Sequence, residues 1–310
     1  MSEPSQASRA ARLGALIVQE SVRGTLVVTG PERYTWLNGL VTCDVAALSP
    51  GKGAWGLLLT KQGKVQSDVL VVAGENALFL SVAAGRAAQL FETLDRFLIM
   101  EDAELFERSS EHAWLSLHGP RAFELASLVV PAKGGALGAV DPTGLGGAAA
   151  VVPRAELEAT LGALLSADGF DVARAEPADW AELRIERGVP VFGVDYTSDD
   201  NPHEASLDRK AVSWTKGCYL GQEVVCMQDM RGRVKRRLVT LSVAEGPVPE
   251  PGTPVSAGSE RVEVGQVTSA VASSRLGRPV VMARVLTKLP EPCGTYGVGG
   301  RAAELLDDSS

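Results

Sequence analysis

Ala54-Trp55-Gly56-Leu57-Leu58-Leu59-Thr60, the turn Lys61-Gln62-Gly63, the run Lys64 to Ala73, the turn Gly74-Glu75-Asn76 and the run Ala77 to Ala83 form one continuous stretch of sequence. Three apolar runs are separated by two short polar breaks, one holding a glycine at its end and the other at its start. Connections this short join antiparallel neighbours, because a parallel pair needs a crossover of a dozen residues or more. The stretch therefore predicts an antiparallel meander. Arg86 to Ile99 follows with Leu90, Leu94, Phe97 and Leu98 at helical spacing, which predicts a helix over one face of that sheet. Upstream, the β-branched run Gly24 to Gly30 reads as a strand. Pro31 then stands where a short helix carrying Tyr34, Trp36, Leu37 and Leu40 would begin.

A second cycle lies downstream: strand Ala113 to Leu117, helix Pro120 to Val129, strand Ala148 to Val152 and helix Arg154 to Ala167. The glycine-rich segment Gly134 to Gly147 lacks the G-x-G-x-x-G order of a dinucleotide fold and reads as a flexible connector. Pro177 to Gly188 reads as a capped helix closed by Gly188-Val189-Pro190. Past Arg237 helical periodicity stops. Short β-type runs, Leu238 to Val243, Val262 to Val271 and Val280 to Leu286, are divided by Gly/Pro segments and predict a small barrel or sandwich beginning near Arg233 to Arg237. The class is α+β, with residues 1–233 as an α+β module of two interleaved subdomains, an inner meander near 50–110, and residues 234–310 as a C-terminal β-barrel.

The 310 residues carry a formal net charge of -8, which disfavours a broad nucleic-acid-binding surface while allowing a local basic pocket near Arg231, Arg233, Lys235, Arg236 and Arg237. No apolar run approaches the roughly 18 residues of a membrane span, and the expected location is cytoplasmic. Met1 to Arg12 reads as a frayed tail. Cys43, Cys218, Cys226 and Cys293 form no Cys-x-x-Cys pair, and His112, His118 and His203 have no metal-ligand spacing, so no metal site is expected. A Cys218–Cys226 disulfide needs the intervening turn to fold back.

Lys216-Gly217-Cys218-Tyr219-Leu220-Gly221-Gln222-Glu223 concentrates a thiol, a cation, two glycines and polar side chains in eight positions. An adjacent ammonium favours the thiolate, and glycines let backbone and ligand approach closely. Cys218 is the first candidate for a chemical role; a buried structural cysteine is the alternative. Glu182 and Glu186 stand four apart on the Pro177 helix. Like charges at that spacing repel, so either both face water or one is held by a ligand or an arginine. Glu186 is the better candidate, since two carboxylate oxygens suit the adjacent ring N–H and exocyclic amine of a pterin. Met227 and Met230 read as core filler.

Glu182 to Pro190, Gly193-Val194-Asp195, Asn201-Pro202-His203-Glu204-Ala205 and the block Lys216 to Glu223 resemble, in order and spacing, the YgfZ-type folate-binding proteins, relatives of the glycine-cleavage T-protein, the aminomethyltransferase. Gly39 to Val45 and Gly265 to Ser269 are similar to that family's early and barrel elements, so the resemblance covers nearly the whole chain. T-proteins proper lack the cysteine of the Lys-Gly-Cys-Tyr block. The resemblance implies a multi-domain, ring-like T-protein fold around a central hole, with antiparallel sheets flanked by helices and a small C-terminal barrel. It implies tetrahydrofolate or a derivative as cofactor, with Glu186 holding the pterin and Asp68 at the folate nitrogen. Cys218 and Asp68 are the catalytic candidates. Lys216, Tyr219, Gln222, Arg231 and Arg233 join Glu186 as candidate folate-binding residues, the arginines steering an anionic folate tail. Asp68 has a second reading as an edge-strand carboxylate facing water.

The implied function is a folate-binding accessory protein supporting iron–sulfur cluster assembly or repair in client enzymes, tRNA-modifying enzymes among them. Its partners would be a reduced folate and iron–sulfur client or assembly proteins. A folate-dependent aminomethyl or one-carbon transferase is the alternative. A redox or scaffold protein using Cys218 and Cys226 without folate is a third reading.

Overall fold

The computed structural model describes residues 5–232, 234–289 and 295–306. The chain divides into two compact units, Gln6–Glu176 with Arg209–Gln222, and Pro177–Asp208 with Glu223–Ser310.

The first unit contains α1 (Gln6–Leu13), β1 (Ala15–Gln19), β2 (Arg23–Thr29), α2 (Arg33–Asn38), β3 (Gly51–Leu59), β4 (Val65–Ala73), β5 (Leu78–Ala83), α3 (Ala87–Asp95), β6 (Glu104–Glu107), β7 (His112–His118), α4 (Ala122–Val129), β8 (Ala136–Ala139), β9 (Gly147–Pro153), α5 (Leu157–Leu165) and β10 (Val172–Arg174). Its strands form one ten-stranded sheet in the order β10-β1-β7-β9-β8-β3-β4-β5-β2-β6. The meander expected from the sequence is β3-β4-β5, antiparallel throughout, with Leu57 opposite Asp68 and Leu70 opposite Ser81.

Alternation along each strand sorts the side chains. Val69, Val71 and Ala73 of β4 pack with Leu90 and Leu94 of α3. On β7, Ala113, Leu115 and Leu117 pack with residues of α4 and α5 such as Leu125 and Leu161. Asp68 and Leu70 therefore face the other side of the sheet, as do Trp114, Ser116 and His118, and Trp114 Nε1 donates to Thr25 Oγ1 at 2.9 Å.

Two expectations about this unit are corrected. The supposed connector Gly134 to Gly147 contributes β8, which joins the two halves of the sheet by pairing antiparallel with β9 and parallel with β3. Glycine is required there for packing rather than flexibility, since a Cβ on Gly138 would lie 2.7 Å from Gly53 N. The carboxylate of Asp141 then fixes the following turn by accepting from the amides of Thr143, Gly144 and Gly146. The expected frayed tail is helical from Gln6, because Ala7, Ala10 and Ala11 are small enough to be buried along one face of α1.

The second unit contains α6 (Pro177–Glu186), α7 (Gln222–Arg231, its first residue assigned to the first unit), β11 (Arg236–Val243), β12 (Pro254–Ala257), β13 (Val262–Ser273), β14 (Arg278–Leu286), β15 (Tyr296–Val298) and β16 (Arg301–Leu305). These strands close into a six-stranded barrel in the order β11-β14-β13-β12-β15-β16. Antiparallel pairing of β11 with β16, Leu241 opposite Leu305, completes the circuit. Leu241, Val255, Val267, Val281 and Val298 fill its interior. The small barrel read from the sequence is present, and the fold is α+β: a large sheet flanked by helices, and a closed barrel. Helix α7 was not anticipated, since Val225 is its buried residue and no apolar stripe marks it. Met227 and Met230, expected in a core, are 37% and 86% exposed.

His118 gives the first unit a pH dependence. Its Nε2 lies 3.2 Å from Ser116 Oγ, and that hydroxyl donates to Glu20 Oε1 at 2.7 Å. Burial pushes its pKa down from 6.5 to about 4, with Asp141 acting in the opposite direction. The unfolded chain therefore takes up the proton first. Stability is complete above about pH 6.5 and falls as the pH drops towards 4, by up to about 3 kcal/mol. Denaturant midpoints across that window are expected to show the loss, and His118→Gln is expected to flatten the slope; an unchanged slope would exclude His118 as its source.

Candidate functional site

In the second unit the functional candidates sit at the end of α6. Gly188, at φ 58°, turns the chain out of the helix, and Val189 N donates back to Arg184 O at 2.8 Å. The last turn, Arg184, Ile185 and Glu186, is buried. Arg184 Nη1 donates to Asp195 Oδ2 at 2.9 Å and Nη2 to Ser269 Oγ at 2.9 Å. Asp195 also accepts from Val191 N, Thr268 Oγ1 and Ser269 Oγ at 2.9, 2.7 and 2.6 Å. This buried, well-satisfied network fixes the end of α6 to β13, and Glu186 is delivered from it.

Glu186 is 7% exposed. Its Oε1 accepts from Ser273 Oγ at 2.5 Å and its Oε2 from Arg275 Nε at 3.2 Å. Of the outcomes the sequence left open for the two glutamates, Glu186 takes the arginine-held one. Glu182 Oε1 accepts from the amide and hydroxyl of Ser274, at 2.7 and 2.6 Å. Both carboxylates thus engage the β13–β14 connection, and Glu186 is the more buried and the charge-paired one.

In the first unit, Asp68 lies on an interior strand between β3 and β5 and is 8% exposed, so the reading as a water-facing edge carboxylate is corrected. Arg23 grips it with both ends of its fork, Nη2 to Oδ2 at 2.5 Å and Nη1 to Oδ1 at 3.1 Å.

The Lys216 segment belongs to this unit as well. Lys216 Nζ donates to the carbonyls of Asn38, Val41 and Cys43, at 2.7, 2.8 and 2.7 Å. These three bonds engage the three ammonium protons of the half-buried Lys216 and give it a structural task. Its Nζ also stands 5.4 Å from the ring centroid of Tyr219, which is buried. Leu220 N donates to Gly39 O at 3.0 Å, and Gly221, at φ 83°, lies so close to the β3–β4 turn that a Cβ would meet Thr60 O at 2.5 Å. Gln222 N donates to Tyr219 O at 3.2 Å as α7 begins. Two of the sequence motifs, Gly39 to Val45 and Lys216 to Glu223, therefore fold against one another.

Cys218 is an exposed free thiol at the outside of this loop, and Gly217 beside it has open space where a Cβ would be. Cys226 is a partly exposed free thiol on α7. Cys43 is buried; desolvation pushes its pKa up to about 12, with the Lys216 ammonium pulling the other way. Arg231 ends α7 exposed to solvent. Arg233 lies outside the described residues. Arg237 is spent on Asp208, both of whose oxygens it reaches at 2.8 Å. Among the described residues no group of three or more His, Cys, Asp or Glu could hold a metal ion, and no helix is long and apolar enough to cross a membrane.

Arg23, Arg275 and Ser273 are not among the residues expected from the sequence. Arg275 and Ser273 lie in or beside a segment read as a mere spacer between strands, and Arg23 stands one residue ahead of the expected strand; no local pattern marks any of them.

Residues 5–162 match the GCVT N-terminal domain, and residues 236–304 match the glycine cleavage T-protein C-terminal barrel domain. The aminomethyltransferase of Streptomyces coelicolor is 30% identical over 94% of this chain and 83% of its own length. That of Symbiobacterium thermophilum is 29% identical over 89% and 80%. Among solved structures, the glycine cleavage system aminomethyltransferase T from Bartonella henselae superposes with a TM-score of 0.77 at 21% identity, covering 96% of this chain and 86% of that one, which is a likeness of fold. With the N-terminal domain and the barrel both matched, and the sequence aligned nearly end to end with such a relative, the chain belongs to the glycine cleavage T-protein family.

Proposed function

We propose that this protein binds a reduced folate and that transfer of an aminomethyl one-carbon unit is the activity best supported, since the relatives aligned over both of its domains are named aminomethyltransferases. The observation that carries the folate reading is Glu186: an ionisable carboxylate at the end of a pinned helix, its two oxygens oriented by Ser273 and Arg275. That pair of acceptor oxygens fits a pterin, whose neighbouring ring N–H and exocyclic amine both donate. A reduced folate supplies, when bound, the nitrogen that carries the one-carbon unit. In the first unit, Asp68, held in one orientation by Arg23, is the proposed catalytic carboxylate. Tyr219 and Gln222 border the same loop as Cys218, and Arg231 offers an exposed cation to an anionic folate tail.

A second reading, a YgfZ-type folate-binding accessory of iron–sulfur proteins, including tRNA-modifying enzymes, is favoured by one observation. The cysteine of the Lys-Gly-Cys-Tyr block is displayed to solvent and not buried as packing. The three described cysteines are free thiols, which suits a reducing compartment such as the cytoplasm.

One experiment separates the two. Purified protein is given tetrahydrofolate and an aminomethyl-loaded lipoyl carrier, and ammonia and methylene-tetrahydrofolate are measured; in parallel, an iron–sulfur client is assayed in cells lacking the natural copy. Aminomethyl transfer predicts turnover that survives Cys218→Ser and is lost with Asp68→Asn. The accessory reading predicts no turnover, and client activity that disappears with Cys218→Ser but persists with Cys226→Ser.

A further inference from the structure

The segment Asn38 to Cys43 is a rigid platform. Asn38 ends α2, so its carbonyl is among those with no donor inside the helix. Beyond it Thr42 Oγ1 donates to Ala211 O at 2.6 Å and accepts from Leu57 N at 2.8 Å, and Val41 bridges to Leu58. The carbonyls of Asn38, Val41 and Cys43 converge on one point, and the atom at that point is Lys216 Nζ, from a residue 178 positions beyond Asn38 in the chain. Three donors meet three acceptors, at the short distances of charge-assisted bonds. An ammonium suits this three-sided receptor. A planar guanidinium does not, because its N–H bonds fan out in one plane.

At the apex of the loop, beyond Lys216, a Cβ on Gly217 would meet no atom within 4 Å, and Cys218 is exposed. The next anchors are buried Tyr219 and the Leu220 N bond to Gly39 O. We propose that Lys216 is a positioning residue, a half-buried cation seated in a three-carbonyl receptor, whose task is to hold the Cys218 loop in the single conformation that displays the thiol. The importance of this rests on the reading of Cys218 as functional; the geometry stands without it.

The test uses the full-length protein with Cys226→Ser and Cys293→Ser, so that a nitroxide thiol reagent labels Cys218 while Cys43 remains buried. In the parent the label is expected to give one immobilised spectrum. Lys216→Ala is expected to give a mobile or multi-component spectrum well below the melting temperature, together with a loss of several degrees in Tm. n-Propylammonium replaces the three carbons and the ammonium that the substitution removes, and it is expected to restore both readouts saturably. Tetramethylammonium, equally charged but without an N–H, is expected to restore neither. If Lys216→Ala does not fold, Lys216→Met keeps the packed stem and is expected to show the same mobile spectrum. A variant whose label is as immobile as the parent's overturns the proposal. So does an alkylammonium that restores nothing, which would reduce Lys216 to packing. Neither folate nor client is present, so failure here is distinct from failure of the functional reading.

Discussion

Asp195→Ala is expected to destabilise the second unit by about 3 to 5 kcal/mol, the scale for stripping the partner from a buried charge. The side chain of Asp195 is 0% exposed and that of Arg184 10%, so the guanidinium left behind could not turn to water without opening the contact between α6 and β13. Val191 N, Thr268 Oγ1 and Ser269 Oγ would lose an acceptor at the same time. Amide hydrogen exchange along α6 and β13 is the appropriate measure, because two units need not unfold in one step. The double variant Arg184→Met/Asp195→Leu is expected to recover much of the loss, since it removes both charges together. A single variant within about 1 kcal/mol of the parent would mean that the network does not hold α6.

Glu186→Ala is expected to weaken reduced-folate binding by about 10- to 150-fold, corresponding to the roughly 1.5 to 3 kcal/mol of a charge-assisted hydrogen-bonded contact. Stability is expected to change less than in Asp195→Ala, because the side chain of Arg275 is 21% exposed and can reach solvent when its carboxylate is removed. Glu182→Ala is the control. That carboxylate serves the amide and hydroxyl of Ser274 at the surface, and its loss is expected to leave folate affinity nearly unchanged. Calorimetric titration of the three proteins with the same folate decides the matter: equal affinity for Glu186→Ala and the parent would assign the pterin to another acceptor.

What was legible in the sequence followed from local periodicity. Val69, Val71 and Ala73 alternate with Asp68, Leu70 and Val72, and the glycine-bearing turns on either side leave only an antiparallel arrangement, so β3-β4-β5 could be read directly. The barrel was legible for the same reason, although β15, three residues long, and β16, with its Arg-Ala-Ala-Glu-Leu sequence, carry too little β-branched character to be found alone. β8 was hidden because Gly138 is there for close backbone approach, and a glycine in a strand looks like a break in it. α7 was hidden because it buries so little of itself.

The candidate site divides in the same way. Glu186 could be found because it closes a helix with recognisable start and stop signals, and Lys216 to Glu223 because its composition is unlike that of a core. Their partners could not. Arg275 lies 89 residues from Glu186, Arg23 lies 45 from Asp68, and Asn38 lies 178 from Lys216, so each pairing is a product of tertiary folding with no trace in local sequence. Lys216 shows the consequence: beside Cys218 in sequence it reads as an activating cation, and in the fold its ammonium is directed into backbone carbonyls.

The proposed binding of a reduced folate by this chain rests on the carboxylate at the end of α6. Equilibrium titration of the purified parent protein with tetrahydrofolate tests it most directly, with 5-methyl- and 5,10-methylene-tetrahydrofolate alongside. Saturable binding of at least one of these at one site per chain is expected, weakened by Glu186→Ala and indifferent to Glu182→Ala; a folded parent protein that binds none of the three up to their solubility limits would contradict a folate site at the end of α6.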